Sequence, residues 1–293
     1  MLNKEDAALA DWAKLGEWLQ QTQDRSANKL SYAPHKDSLL SGDEQGMPEG
    51  SSVAAVVRSL LDSAVDDLSA AYDLAAGLGC LHPAGIPTLV RGSVELSCIG
   101  MWIMTGVGRV GRQERALRVA HDSLFNAGKY LRHLAGNTKV PTNVQQDANN
   151  AAEDLKVQMD TLLSSASFLG IKRSAVKSAL NRTAALQLTD KQRGTDFFSQ
   201  WQLCSGFAHG FSWAPQLFND FAYRHVMEGG GVITGRVLNE GSAFVLLGWG
   251  RHAIQELLLS FNLGLVAGPQ GERTTIAVGP PLERIPSFPA SQR

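Results

Sequence analysis

No window of the chain approaches the about 18 uninterrupted apolar residues of a membrane-spanning helix, so no membrane partner is expected. The opening stretch MLNKEDAALADWAK puts charges where a signal peptide needs its apolar centre. Cysteine is scarce. Cys80, Cys98 and Cys204 are an odd number without paired spacing, and two of them stand in apolar helical stretches, where a free thiol acts as a small hydrophobe. The expectation is a reduced, cytoplasmic protein. No Cys/His cluster has zinc spacing and no HExxH occurs, so neither a metal nor another cofactor is expected. The net charge of −1 gives no overall pull towards nucleic acid or membrane. Its distribution is uneven: residues 1–80 carry 13 Asp/Glu against 6 Lys/Arg, a net of −7, so residues 81–293 carry +6. That half could meet an anionic partner or present a solvated surface.

Helical periodicity is abundant. Leu9, Trp12, Leu15, Trp18 and Leu19 form an amphipathic stripe over about 4–21. Residues 23–50 lose that period and collect Ser, Gly, Asp, Pro and Asn, which reads as a flexible linker. Ser51 or Ser52 can cap a helix to about 79, which Pro83 then ends through His82. From 88 to 104 apolar side chains fall on every side of the helical wheel, as in a buried helix. Further helices are expected over 112–135, 143–168, 171–182, 192–209 and 241–266. Thr142-x-x-Gln145 and Thr189-x-x-Gln192 read as capping boxes. Short alternating stretches around Gly229-Gly230-Gly231 suggest a hairpin within 223–239. The fold class is therefore all-α: a multi-helix bundle over 51–266 with one small inserted β-hairpin. An N-terminal helix and linker (1–50) precede it, and a disordered tail (267–293) follows.

Residues 105–111, TGVGRVG, have the glycine spacing of a dinucleotide-binding turn. Such a turn needs a strand before it and an acidic residue about 20 positions later. Here a helix precedes it, and 131–133 reads Leu-Arg-His. The glycines turn one helix into the next, and no dinucleotide is expected.

Three groups of residues could carry chemistry. Arg91 and Glu95 sit one turn apart in the apolar helix 88–104, where burial demands partners. They form either a structural pair or the wall of an internal site, with Arg91 offering a planar fork to phosphate or carboxylate. For a structural pair, Arg91→Ala should cost about 3–5 kcal/mol. Ser205 and His209, at i and i+4 before Gly210, share a face near a helix end; no third carboxylate or elbow motif supports a nucleophile there. Two runs are basic. Over 109–133 six Lys/Arg stand against two acids, and over 171–193 six stand against one, so these helices could track a phosphate backbone. The aromatic interleaving of a single-strand binder is absent.

PTLVRGSVELSCIGMWIM, RVGRQERALRVAHD and SGFAHG together resemble a set of uncharacterised bacterial helical proteins. More remotely, the chain resembles the HEPN superfamily of toxin and phage-defence bundles, over roughly 51–262. That resemblance implies metal-independent RNA cleavage across a homodimer, or pairing with an antitoxin-like protein. The family pairs an Arg with a His across four to six intervening residues, His handling a proton and Arg the phosphorane charge. His209 matches the histidine. Gln202, Leu203 and Cys204 stand where its arginine would be, so Arg91 would have to serve from another helix. Arg115 and His121 also satisfy the spacing and are candidates for substrate binding with Ser205. Arg91, Glu95 and His209 are expected to share one polar site. Two other classes stay open: an interaction module whose polar residues only specify packing, and a small-molecule enzyme with a pocket around them.

Overall fold

The computed structural model describes residues 4–28, 32–227, 230 and 232–266. Among them the chain is an all-α bundle with one small hairpin. α1 (Lys4–Ala27) and the short α2 (Leu39–Glu44) lead into α3 (Val53–Tyr72), which runs on into a π-helical turn, Asp73–Gly77. α4 (Gly85–Met104), α5 (Gly108–Ala135) and α6 (Thr142–Phe168) follow. After them come the shorter α7 (Arg173–Lys177), α8 (Arg182–Arg193), α9 (Phe197–Ala208) and α10 (Trp213–Phe218). β1 (Asp220–Val226) pairs antiparallel with β2 (Val232–Val237), from Asp220 opposite Val237 to Val226 opposite Val232. α11 (Glu240–Leu265) closes the bundle. No helix of the described residues is long and apolar enough to cross a membrane.

α4 is the central element. It packs against α3, α8, α9 and α11, which is why it tolerates apolar side chains all round: Val90, Val94, Cys98 and Ile103 are all buried. Ser52 caps α3, its hydroxyl accepting the Ala55 N–H at 3.3 Å, and Asn239 caps α11 through the Ser242 N–H at 2.7 Å. The glycine loop is a helix-to-helix turn. A Cβ on Gly106 would stand 2.6 Å from the backbone of Gly111 and Arg112. Glycine is needed at position 106 because α5 doubles back directly onto the end of α4.

Residues 32–50, expected as a linker, lie against the bundle. Tyr32 stacks on Phe261 with ring centroids 5.5 Å apart, and Leu40 and Asp43 are buried. Leu15 and Leu19 of α1 belong to the same apolar core, so the helical unit takes in the N-terminal segment as well as 51–266. A six-residue helix is too short for its periodicity to show in the sequence. The expected disordered tail, 267–293, lies outside the described residues.

Neither capping box forms. α6 takes Pro141 as its N-cap, leaving Thr142 inside the helix, while the Gln145 amide donates to the Val140 carbonyl at 2.7 Å. Thr189 is buried within α8, where its hydroxyl meets the carbonyls of Ala185 (2.9 Å) and Cys98 (3.3 Å). The expected helix 192–209 is thus the end of α8, a break, and α9. Asp190 supplies the cap instead, its carboxylate accepting the N–H groups of Phe197 (2.9 Å) and Phe198 (2.8 Å).

Candidate functional site

Arg91 and Glu95 project from α4 towards α9 and the start of α8. Arg91 Nη2 lies 3.0 Å from Glu95 Oε2, and its Nε donates to Ser205 Oγ at 2.8 Å. The guanidinium stands 5.4 Å from the centre of the Trp201 ring, within cation–π reach. Trp201 Nε1 donates to Glu95 Oε2 at 2.7 Å. Glu95 Oε1 takes Arg182 Nε at 3.1 Å, and Arg182 Nη2 continues to Asp122 Oδ2 at 3.1 Å. The side-chain amide of Asn126 donates to that same Asp122 oxygen at 3.2 Å. One connected network thus joins α4, α5, α8 and α9. With three fixed donors on its carboxylate, Glu95 has most of its about four acceptor positions filled. Those donors come from three different helices, so the arrangement suits a structural tie.

His209 stands apart. It is the C-terminal cap of α9 and is exposed, with its ring 5.8 Å from that of Phe211. Among the described residues no hydrogen bond or ion pair joins its side chain to Arg91 or Glu95. The cause is the way α9 ends. Gly210 adopts φ +69°, its N–H donates to the Phe207 carbonyl, and the Phe211 N–H donates to the Gly206 carbonyl. This double closure carries the chain back over Gly206, where a Cβ would come within 2.7 Å of Ala214 and Trp213. Ser205 meets Arg91, and His209 sits one helical turn further on.

Arg115 and His121 are not brought together. Six residues at 100° each put them about 120° apart around α5. Arg115 donates to the carbonyl of Trp102 and to Thr105 Oγ1, and lies 4.8 Å over the Trp102 ring, so it caps the end of α4. Burial, with Arg118 beside it, lowers its pKa. His121 stacks on Phe125 at 6.2 Å. Its pKa is lowered by burial and by Lys177, against the pull of Asp122.

Most arginines of the two basic runs are engaged within the fold. Arg112 chelates Asp43, Arg118 reaches Glu114 and the Ala175 carbonyl, and Arg193 pairs with Glu256 at 3.8 Å. These arginines are therefore held by the fold, while Lys172, Arg173 and Lys177 remain exposed.

A cleft of about 750 Å³ opens beside the network. The main apolar core lies on one side of it, and a smaller cluster around Leu117, Leu162 and Ala166 on the other. Leu60, Leu96 and Ile99 form one wall, with Leu124, Val157 and Leu162 opposite. Glu95, Asp122 and Arg182 line the same cleft and give it a charged side. The sequence does not reveal it, because a gap between helix pairs leaves no trace in the periodicity of any one of them. Arg182 was visible only as part of a basic run. Asp122 was visible only as one of the two acids of the other run, 109–133.

Among the described residues no group of three or more His, Cys, Asp or Glu could hold a metal ion. Cys98 and Cys204 are buried, burial pushing the Cys204 thiol up to about 12, so neither is a ready nucleophile. Compared with known proteins, the chain matches no family model, no curated protein and no solved structure.

Proposed function

We propose that this chain is a non-catalytic helical binding module whose site is the cleft between α3, α4, α5 and α6. One observation carries the reading: the polar residues nearest the cleft hold one another, while the cleft they border stays open and walled with apolar side chains. Its volume falls within the about 300–1,000 Å³ of small-molecule sites. In this reading Arg91, Glu95, Ser205 and Trp201 are positioning residues that fix α9 and α8 against α4 and so keep the cleft in shape.

The test is saturable binding of a neutral, environment-sensitive fluorophore. Ser123 is exposed on the cleft's rim, so Ser123→Trp should block the cleft without disturbing the core. The expected result is one binding event per chain in the parent and at least a tenfold loss in the variant. Equal binding by both proteins would place the dye elsewhere and remove the reading.

The RNA-handling reading has a separate observation in its favour. His209 is exposed beside two exposed rings, Phe211 (54 %) and Trp213 (42 %), which could stack on bases. Under that reading, alone as a dimer or restrained by an antitoxin-like partner, His209→Ala abolishes RNA cleavage by a protein that stays folded. A parent protein that neither binds nor cuts RNA at low salt, where basic surfaces bind best, ends it.

A further inference from the structure

The charges around the cleft are unbalanced. Glu49, Glu95 and Asp122 line it, and Arg182 is the only basic side chain among its described lining residues. Arg91 lies behind the wall and compensates Glu95, so three carboxylates face two guanidinium groups. Glu49 meets no basic side chain among the described residues, which leaves the lining net negative, and Arg182 is shared between Glu95 and Asp122. Both of the hydrogen bonds that Asp122 takes from other side chains, from Arg182 and from Asn126, end on Oδ2. Oδ1 accepts none among the described residues. A carboxylate oxygen left open at the border of an apolar cleft is satisfied best by a cationic donor, because charge-assisted hydrogen bonds are roughly twice as strong as neutral ones. The remaining walls offer aliphatic contact on both sides, from Leu60, Leu96 and Ile99 and from Leu124, Val157 and Leu162.

We infer that the cleft's occupant is a small amphipathic cation: an alkylammonium head on Asp122 Oδ1 and an apolar body between the walls. This rests on the reading of the cleft as the binding site and adds the chemical class of its ligand. An anionic amphiphile of the same length would meet Glu49, Glu95 and Asp122 and would have to pull Arg182 away from two carboxylates. A neutral one would keep the apolar contacts and gain nothing from Asp122.

The probes are n-decylammonium, decanoate and 1-decanol, titrated calorimetrically into the full chain. Decylammonium is expected to bind at least tenfold more tightly than either of the others. Asp122→Asn should abolish that preference while leaving decanol binding unchanged. Thr161→Trp, at an exposed position on the cleft's rim, should weaken all three. Asp122 also holds Arg182, and if Asp122→Asn does not fold, the preference of the parent protein among the three probes decides. Decanoate binding as tightly as decylammonium, or a preference that survives Asp122→Asn, overturns the cationic class and leaves the cleft as a binding site. Binding of none of the three overturns both.

Discussion

Glu95→Ala is expected to destabilise the fold by about 3–5 kcal/mol, the cost of removing one partner from a buried ion pair. Glu95 is 13 % exposed and, among the described residues, is the only one that touches Arg91, Arg182 and Trp201 together. Its loss leaves two guanidinium groups facing each other and strands the indole N–H. Arg182, at 44 % exposure, can turn to water, which places the effect towards the lower end of the range. At roughly 2–4 °C per kcal/mol for a domain of this order of size, the melting temperature should fall by about 6–12 °C. Arg91→Ala, which the sequence alone marks as equally damaging, should be milder, because Glu95 keeps Arg182 and Trp201. Glu95→Gln retains an acceptor for the indole and should fall between Glu95→Ala and the parent. Thermal melts followed by circular dichroism check the order. Parent-like stability of Glu95→Ala would mean that the network does not hold α8 and α9 to α4.

The sequence marks this network only in part, and the reason is physical. The Arg91–Glu95 pair is legible because two charges in an all-round apolar helix need partners, and i, i+4 spacing supplies one. Ser205 stands 114 residues from Arg91, and nothing in the local pattern says that the two meet. Faces can be read from periodicity, whereas partners depend on how the helices cross. The same limit explains the capping boxes. Ser52 caps α3 as its position suggests, but Thr189 lies where α8 presses on α4, and the Cys98 carbonyl claims its hydroxyl. The glycine loop was readable because its context, a helix on each side, excluded a strand–turn–helix unit. The cleft was not readable at all. It exists because the α5–α6 pair builds a small core of its own beside the main one, and packing of that kind is decided between elements.

Arg112→Ala should show a destabilisation that depends on pH. Asp43 is almost wholly buried (side chain 1 % exposed), and Arg112 chelates it, Nε to Oδ2 at 2.6 Å and Nη2 to Oδ1 at 3.0 Å. The neighbouring Gln113 amide donates to the Asp43 carbonyl at 2.8 Å. Together these contacts anchor α2, which at six residues cannot persist alone. Burial raises the Asp43 pKa above its ordinary 3.8, and Arg112 and Arg109 oppose the rise. A folded-state pKa above the unfolded one means that this group's contribution is full below about pH 3.8 and is lost as pH rises through the folded value. Without Arg112 the largest opposing influence is gone. The folded pKa climbs further, and the loss becomes larger and extends to higher pH. Relative to the parent, Arg112→Ala should therefore cost less near pH 4 than near pH 7. It should cost about 3–5 kcal/mol near pH 7, where an unpaired carboxylate is buried. Adding Asp43→Asn removes the charge and should recover part of the loss at neutral pH while flattening the difference between the two pH values. Urea unfolding of the three proteins at both values tests this. If Arg112→Ala lowers stability equally at pH 4 and pH 7, Arg112 does not act on the Asp43 charge, and its contribution is packing alone.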